Sequence, residues 1–162
     1  MASRVSSFAA IQGQFDDYLS DIVYATMTTV DAKGRPRARV LIAVWEVVDT
    51  RPVGWLATYR TPVKAAHLAA NPHATFSYWS PRQNAVAIDT VAEWVDDLGI
   101  KQHVWELYRD GSPGRVGYDL GRYWRAGPAD PQLHVLRLTP WRVQVIRGAD
   151  LRSRIWRADS VD

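Results

Sequence analysis

Residues 53–64 read Val-Gly-Trp-Leu-Ala-Thr-Tyr-Arg-Thr-Pro-Val-Lys, an apolar segment that runs directly into the start of a helix. Thr61 is a favoured N-cap residue, and Pro62 fits the first helical position, where its missing N–H costs nothing. The third helical position favours Glu or Gln, which would close a capping box and suit the helix dipole, but Lys64 stands there. Cations beside free N–H groups favour an anion, so these residues predict a phosphate or carboxylate site. The alternative is a solvated Lys64 and Arg60 on an exposed turn.

The composition indicates one globular domain over residues 1–162. Hydrophobic residues make up 47% of the chain and eight residues are Trp, which is typical of a packed core rather than of a disordered chain. The absence of Cys excludes a disulfide framework, a thiolate nucleophile and a Cys-ligated metal. No apolar signal core and no apolar run of the ~20 residues that span a bilayer is present, so we expect a cytoplasmic protein without membrane contact. A net charge of +3 is too small to favour nucleic acid as a partner.

Hydrophobic periodicity and turn residues predict a mainly β, α+β fold. The predicted helices cover residues 8–20, 61–71 and 98–108. The predicted strands cover residues 22–30, 35–48, 53–58, 74–79, 85–95, 133–146 and 151–156. Short turns join most of the strands, which favours an antiparallel barrel of six to seven strands with flanking helices. We expect residues 110–131 to form a long ordered loop that Tyr118, Tyr123 and Trp124 hold down.

The motifs leave several kinds of catalytic site without support. None of the His residues has the spacing of a metal site; they are His67, His73, His103 and His134. No Gly-x-Ser-x-Gly, Gly-rich phosphate loop or Gly-x-Gly-x-x-Gly occurs, so serine hydrolases, P-loop NTPases and Rossmann enzymes are not indicated. The pairs Asp16-Asp17 and Asp96-Asp97 lie beside helices, where acidic residues cap and solvate. We therefore expect no metal, and the catalytic residues are unknown.

A set of cations and hydroxyls does indicate a binding site. Arg35, Arg37 and Arg39 share one face of a predicted strand, because side chains alternate with period two. In a barrel whose second and third strands are neighbours, Arg39 and Thr58 can approach the same point at the start of the second helix. The two residues would then form a phosphate cradle there, together with the cations of the helix start. The adjoining run 40–42 could lie against a flat ring.

Four stretches resemble the pyridoxamine 5'-phosphate oxidase-like flavoproteins, which have the FMN-binding split barrel. The stretches are Pro36–Leu41, Gly54–Thr58, Lys64–Pro72 and Ala92–Asp97, and they follow the order and spacing of that family. The resemblance implies a single FMN-binding split-barrel domain over residues 1–162. Arg39 and Lys64 would bind the FMN phosphate, Thr58 would donate or accept a hydrogen bond beside it, and Val40 and Leu41 would line the isoalloxazine. The full set of predicted cofactor-binding residues is Arg39, Val40, Leu41, Ala57, Thr58, Arg60, Thr61, Lys64 and Arg154.

The C-terminal residues 140–154 resemble the last two strands of the family, which reach the flavin bound by the other subunit. The resemblance therefore implies a homodimer with the cofactor at the subunit interface, with Arg154 as a candidate contact from the partner. Val44 stands where the true oxidases carry a Lys for the substrate phosphate, and Asp150 and Arg152 stand where they carry an Arg-x-His pair. Ile146 replaces a Trp that flanks the flavin. We therefore expect that the protein is not a true pyridoxamine phosphate oxidase.

The resulting hypothesis is an FMN-dependent oxidoreductase that acts on an unidentified small molecule. An F420-dependent reductase of the same fold is the alternative, since Arg35, Arg37 and Arg60 could bind its longer anionic tail. Related members also bind haem, so the fold alone does not select the cofactor. A flavin carrier or sensor without turnover is a further alternative. In each of these the cofactor performs the redox chemistry and the protein holds it.

Overall fold

The computed structural model describes residues 1–111 and 118–159 and confirms the mainly β, α+β class. Its helices are α1 (Ala9–Ile22), α2 (Pro62–Ala70) and α3 (Leu98–Glu106), and a π-helical turn (Leu107–Gly111) follows α3. Its strands are β1 (Ala2–Arg4), β2 (Ala25–Val30), β3 (Pro36–Leu41), β4 (Val44–Val48), β5 (Arg51–Thr58), β6 (His73–Trp79), β7 (Ala85–Val95), β8 (His134–Ile146) and β9 (Ser153–Arg157).

The described strands form one nine-stranded sheet that curls into a barrel. Its main path is β1-β9-β8-β7-β6-β2-β3, and β8 also pairs with β5, which pairs with β4. All of these pairs are antiparallel except β1 with β9. Strands β3 and β4 are not paired in the described sheet, but only two residues separate them along the chain. Through this connection the strands β2, β3, β4, β5, β8, β7 and β6 form a closed circuit, because β6 pairs with β2. The predicted count of six to seven strands differs from this count because β1 was not predicted and residues 35–48 form two strands.

The barrel interior is filled by apolar side chains from the strands and from α1. Phe8, Ile11 and Phe15 of the α1 region pack there against residues such as Met27 and Phe76. The Nε1 of Trp45 donates a hydrogen bond to the Tyr78 hydroxyl at 2.8 Å inside this cluster. The indole of Trp45 lies directly over Gly54, where an added Cβ would be 2.5 Å from the ring. Interior packing thus requires a glycine at that point of β5.

A second apolar cluster covers the outside of the barrel at β4, β5 and β8. Val104 and Tyr108 pack there against strand residues that include Trp55 and Val135. Strand β5 is therefore buried on both faces, which explains why its sequence is an uninterrupted apolar run. Residues 112–117 of the predicted loop lie outside the described residues. In the described part of the loop, Trp124 is buried in this cluster, Tyr118 packs against it, and the half-exposed Tyr123 ring stacks on Tyr118 with its centroid 5.8 Å away.

Candidate cofactor site

Lys64 folds back over the start of α2. Thr61 is the N-cap, and its hydroxyl accepts a hydrogen bond from the Lys64 backbone N–H at 3.4 Å, which confirms the predicted helix start. The ammonium of Lys64 donates to the Thr58 hydroxyl at 2.5 Å and to the Tyr59 carbonyl at 3.0 Å. Only 7% of the residue is exposed. The strand-to-helix junction therefore surrounds a nearly buried cation with neutral oxygen atoms.

Lys64 is a nearly buried cation that has a second cation, and no carboxylate, beside it in the described residues. Burial, and after it the charge of the nearby Arg39 guanidinium, together lower the pKa of Lys64 to about 8. Among residues 1–111 and 118–159, neither Lys64 nor Arg39 forms an ion pair with a carboxylate. Buried charges in proteins are normally paired or bound to a ligand. The two cations therefore favour an anion between them.

A series of hydrogen bonds connects Arg39 to α2. Its Nη2 donates to the hydroxyl of the fully buried Thr29 at 3.0 Å, and that hydroxyl lies 3.0 Å from Nδ1 of His67 on α2. Its other terminal nitrogen, Nη1, is buried without a hydrogen-bond partner in the described part of the chain. Burial, and then the charge of Arg37, lower the pKa of Arg39. The two N–H bonds of Nη1 thus remain available for a ligand.

Thr29 and His67 were missed by sequence reasoning. His67 is three residues after Lys64, so the two side chains share one face of α2, a signal that was available. Thr29 shares the inward face of β2 with Met27, and a hydroxyl in a buried row calls for a partner. The His67 ring thus contacts the residue that orients Arg39.

Arg60 takes no part in the hydrogen bonds of Lys64 and Arg39. Its guanidinium lies over the Trp94 ring at 5.1 Å from the centroid, a cation–π contact. Arg35 is likewise engaged, since its Nε donates to Asp31 at 2.7 Å. Of the predicted cradle residues, the structure brings together Arg39, Thr58, Thr61 and Lys64, while the guanidinium of Arg60 contacts the Trp94 ring and its place in the cradle stays a prediction.

Three further predicted residues differ in their surroundings. Val40 is 68% exposed on the outer face of β3, whereas Leu41 points inward and packs against the barrel cluster. The two side chains thus lie on opposite faces of the strand, and their contact with a flat ring stays a prediction. Ala57 is buried, and its backbone N–H donates to the Tyr108 hydroxyl at 3.3 Å.

Arg154 lies far from Lys64 within one subunit. It pairs with Val145 near the end of β8, whereas Thr58 pairs with His134 at the opposite end of that strand. The Arg154 guanidinium donates to the Ala10 carbonyl at 2.8 Å and to the Gln14 side chain at 2.9 Å. Its predicted contact with a cofactor would therefore have to come from a partner subunit.

The structure also shows the surroundings of the residues that depart from the family pattern. Val44 is buried in the cluster beneath α3, so its side chain does not reach the cradle. Asp150 accepts hydrogen bonds from Arg147 and lies 3.4 Å from Nε of Arg152. The hydrogen bond from Arg147 is the main reason that the pKa of Asp150 falls to about 2. Asp150 is thus an anion at neutral pH, and two arginines share its charge.

The described residues hold no group of three His, Cys, Asp or Glu side chains arranged to bind a metal ion. No helix within residues 1–111 and 118–159 is long and apolar enough to cross a membrane.

Comparisons with known proteins agree with this fold. A family model for pyridoxamine 5'-phosphate oxidase matches residues 11–147. The pyridoxine/pyridoxamine 5'-phosphate oxidase of a Polaromonas species is 33% identical over 91 residues, which are 51% of this chain and 41% of that protein. The matched region thus spans less than half the length of this curated relative.

Two solved structures share the fold at low sequence identity. A protein related to general stress protein 26 from Clostridium acetobutylicum has a TM-score of 0.71 at 16% identity, over 93% of this chain and 96% of that one. A pyridoxamine 5'-phosphate oxidase-related, FMN-binding protein from Nostoc punctiforme has a TM-score of 0.63 at 16% identity, over 96% of this chain and 100% of that one. Since the family match covers most of residues 1–162, the chain belongs to the pyridoxamine 5'-phosphate oxidase family.

Proposed function

We propose that the protein binds FMN, with the phosphate held between Lys64 and Arg39 at the start of α2, and acts as an FMN-dependent oxidoreductase on a small molecule. The observation that carries this proposal is the pair of cations without a carboxylate partner in the described residues. A phosphate dianion supplies the missing negative charge and accepts several hydrogen bonds at once. The family membership and the fold shared with an FMN-binding protein support the same cofactor.

Each residue of the cradle has a distinct part in this proposal. Lys64 contributes a point charge and Arg39 a planar donor, which suit two oxygens of one phosphate. Thr29 accepts a hydrogen bond from Nη2 of Arg39 and so holds the guanidinium in place, while the unpaired Nη1 would donate to the phosphate. Thr58 fixes the Lys64 ammonium. Bound FMN would supply the redox chemistry, while these residues anchor and orient it.

The arrangement favours FMN over F420. A longer anionic tail would need further cations beside the cradle, and two of the three candidates are engaged. Arg35 pairs with Asp31, and Arg60 lies over Trp94.

Turnover separates an oxidoreductase from a carrier or sensor. A nicotinamide donor should reduce the bound flavin under anaerobic conditions, and a small acceptor should reoxidise it. A flavin that no donor reduces would favour the carrier.

We further propose a homodimer whose cofactor lies at the subunit interface. The outer face of the strands from β3 to β8 carries exposed apolar side chains that include Val40, Trp79, Val91 and Trp141. Exposed apolar side chains on one face of a sheet favour a subunit interface, and a two-fold axis would let both subunits use the same surface. The family resemblance implies that Arg154 contacts the cofactor of the other subunit, since it and Thr58 lie at opposite ends of β8 in one chain.

The test compares FMN with riboflavin, which has the same ring and lacks the phosphate. The wild-type protein should bind FMN much more tightly than riboflavin in an equilibrium fluorescence titration. Lys64→Ala and Arg39→Ala should each weaken FMN binding by the ~1.5–3 kcal/mol of a charged hydrogen bond and leave riboflavin binding nearly unchanged. Equal affinity of the wild-type protein for the two flavins would refute the phosphate site.

A further inference from the structure

The antiparallel ladder between β4 and β5 stops where the cradle begins. Val44 pairs with Trp55, and extending this register by two residues places Ile42 opposite Ala57. The backbone groups of these two residues do not bond to each other. The hydroxyl of Tyr108 lies between them instead, donating to the Ile42 carbonyl at 2.6 Å and accepting from the Ala57 N–H at 3.3 Å.

Burial and packing hold Tyr108 in this position. It is 1% exposed and belongs to the π-helical turn that ends α3, a kind of irregularity that occurs often at functional sites. Its ring packs in the cluster beneath α3 and lies 5.8 Å from the Tyr118 ring. Burial raises the pKa of Tyr108, so its hydroxyl stays protonated. A protonated hydroxyl can donate one hydrogen bond and accept another, as the two backbone groups require.

The two bridged residues lead directly to the cradle. Ala57 precedes Thr58, which holds the Lys64 ammonium, and Ile42 follows β3, which carries Arg39. The separation of the strands at Tyr108 therefore influences the separation of the two cations. Neither the sequence motif of the cradle nor the family resemblance draws attention to this tyrosine.

We propose that Tyr108 is a positioning residue that spaces the strands at the split of the barrel and so sets the geometry of the phosphate cradle. This inference rests on the proposed FMN site for its functional consequence, whereas the spacing itself concerns the protein alone. Without the hydroxyl, the Ile42 carbonyl and the Ala57 N–H would be left as unpaired buried groups. The simplest way to satisfy them is a direct bond, which extends the ladder and narrows the split.

The test uses Tyr108→Phe, which removes only the hydroxyl, and Tyr78→Phe as the matched control. Tyr78 is also a fully buried tyrosine, but its hydroxyl accepts a hydrogen bond from Trp45 and makes none to Ile42 or Ala57 among the described residues. NMR of the cofactor-free proteins should show altered hydrogen exchange of the Ala57 amide and new cross-strand contacts to Ile42 in Tyr108→Phe alone. FMN affinity should fall about tenfold in Tyr108→Phe and stay near the wild-type value in Tyr78→Phe.

Each outcome decides one of the two ideas. An unchanged Ala57 amide in Tyr108→Phe would refute the spacer, whatever the protein binds. A changed amide with unchanged FMN affinity would refute its positioning role, and equal losses of affinity in both variants would indicate general loosening and refute it as well. Failure of the wild-type protein to bind FMN would instead refute the proposed function and the positioning role, while the amide measurement would still decide whether Tyr108 spaces the strands.

Discussion

Replacing Lys64 by Met should abolish a rise in stability with pH that the wild-type protein shows. The folded protein lowers the pKa of Lys64 from an ordinary 10.5 to about 8. Since one pKa unit corresponds to 1.36 kcal/mol, the cofactor-free fold disfavours the charged ammonium by about 3 kcal/mol. Between these two pH values the unfolded chain binds the proton more tightly than the folded protein does. The free energy of unfolding must therefore rise with pH, by about 2 kcal/mol between pH 7.5 and 9.5.

Urea unfolding followed by Trp fluorescence measures this contribution. The wild-type protein and Lys33→Met should both gain stability from pH 7.5 to 9.5, because Lys33 is an exposed turn residue and serves as the matched control. Lys64→Met should lack this gain, since it has no proton to lose at this position. The same pH dependence in Lys64→Met and in the wild-type protein would refute the claim that a buried, unpaired ammonium occupies the cradle.

FMN binding should have the opposite dependence on pH. A bound phosphate favours the charged ammonium and raises the pKa of Lys64, so affinity should fall more than about tenfold from pH 7.5 to 9.5. Riboflavin, measured in parallel, reports any effect of pH on the ring alone. Lys64→Met should bind FMN more weakly at pH 7.5 and show little further loss at pH 9.5. A wild-type affinity for FMN that is constant over this range would contradict the proposed contact.

Three other predictions follow from the packing and the site. Gly54→Ala should destabilise the protein by about 1–3 kcal/mol in urea, because its Cβ would overlap Trp45, whereas Gly13→Ala, in open space on α1, should stabilise it slightly. The FMN-loaded protein should consume no oxygen with pyridoxine or pyridoxamine 5'-phosphate, since the buried, uncharged Val44 supplies no cation where the true oxidases carry a Lys for the substrate phosphate; rapid turnover would show that this position is misassigned. Light scattering should give a dimer at micromolar concentration, and a stable monomer would contradict the proposed cofactor site at the subunit interface.

Local sequence rules located the elements because the residues that decide them are close together in the chain. Thr61 and Pro62 specify where α2 begins without any help from distant residues. The apolar run of β5 signalled burial on both faces, and the barrel interior and α3 supply the two faces. Lys64 at the third position of α2 broke a local rule, and the structure shows it nearly buried beside a second cation.

Contacts between distant residues explain what could not be predicted. Residues 40–45 contain no Gly or Pro, so nothing local marks the break between β3 and β4. The break coincides with the hydroxyl of Tyr108, which comes from a turn 66 residues further along the chain. The contact of the Arg60 guanidinium with the Trp94 ring joins residues that are 34 positions apart, so the sequence around Arg60 could not indicate it.

The residue choice at position 64 connects the stability of the protein to its proposed function. A Glu there would close a capping box with Thr61 and stabilise the start of α2, and it would also pair with Arg39. That same carboxylate would neutralise the two features that make the site attract an anion, the positive charge and the free N–H of Arg39. Lys64 instead leaves the cofactor-free protein with an uncompensated charge, which an arriving phosphate relieves. A lower stability without the cofactor and a higher affinity for it are therefore consequences of one side chain, and this is why stability and FMN binding should change in opposite directions as the pH rises.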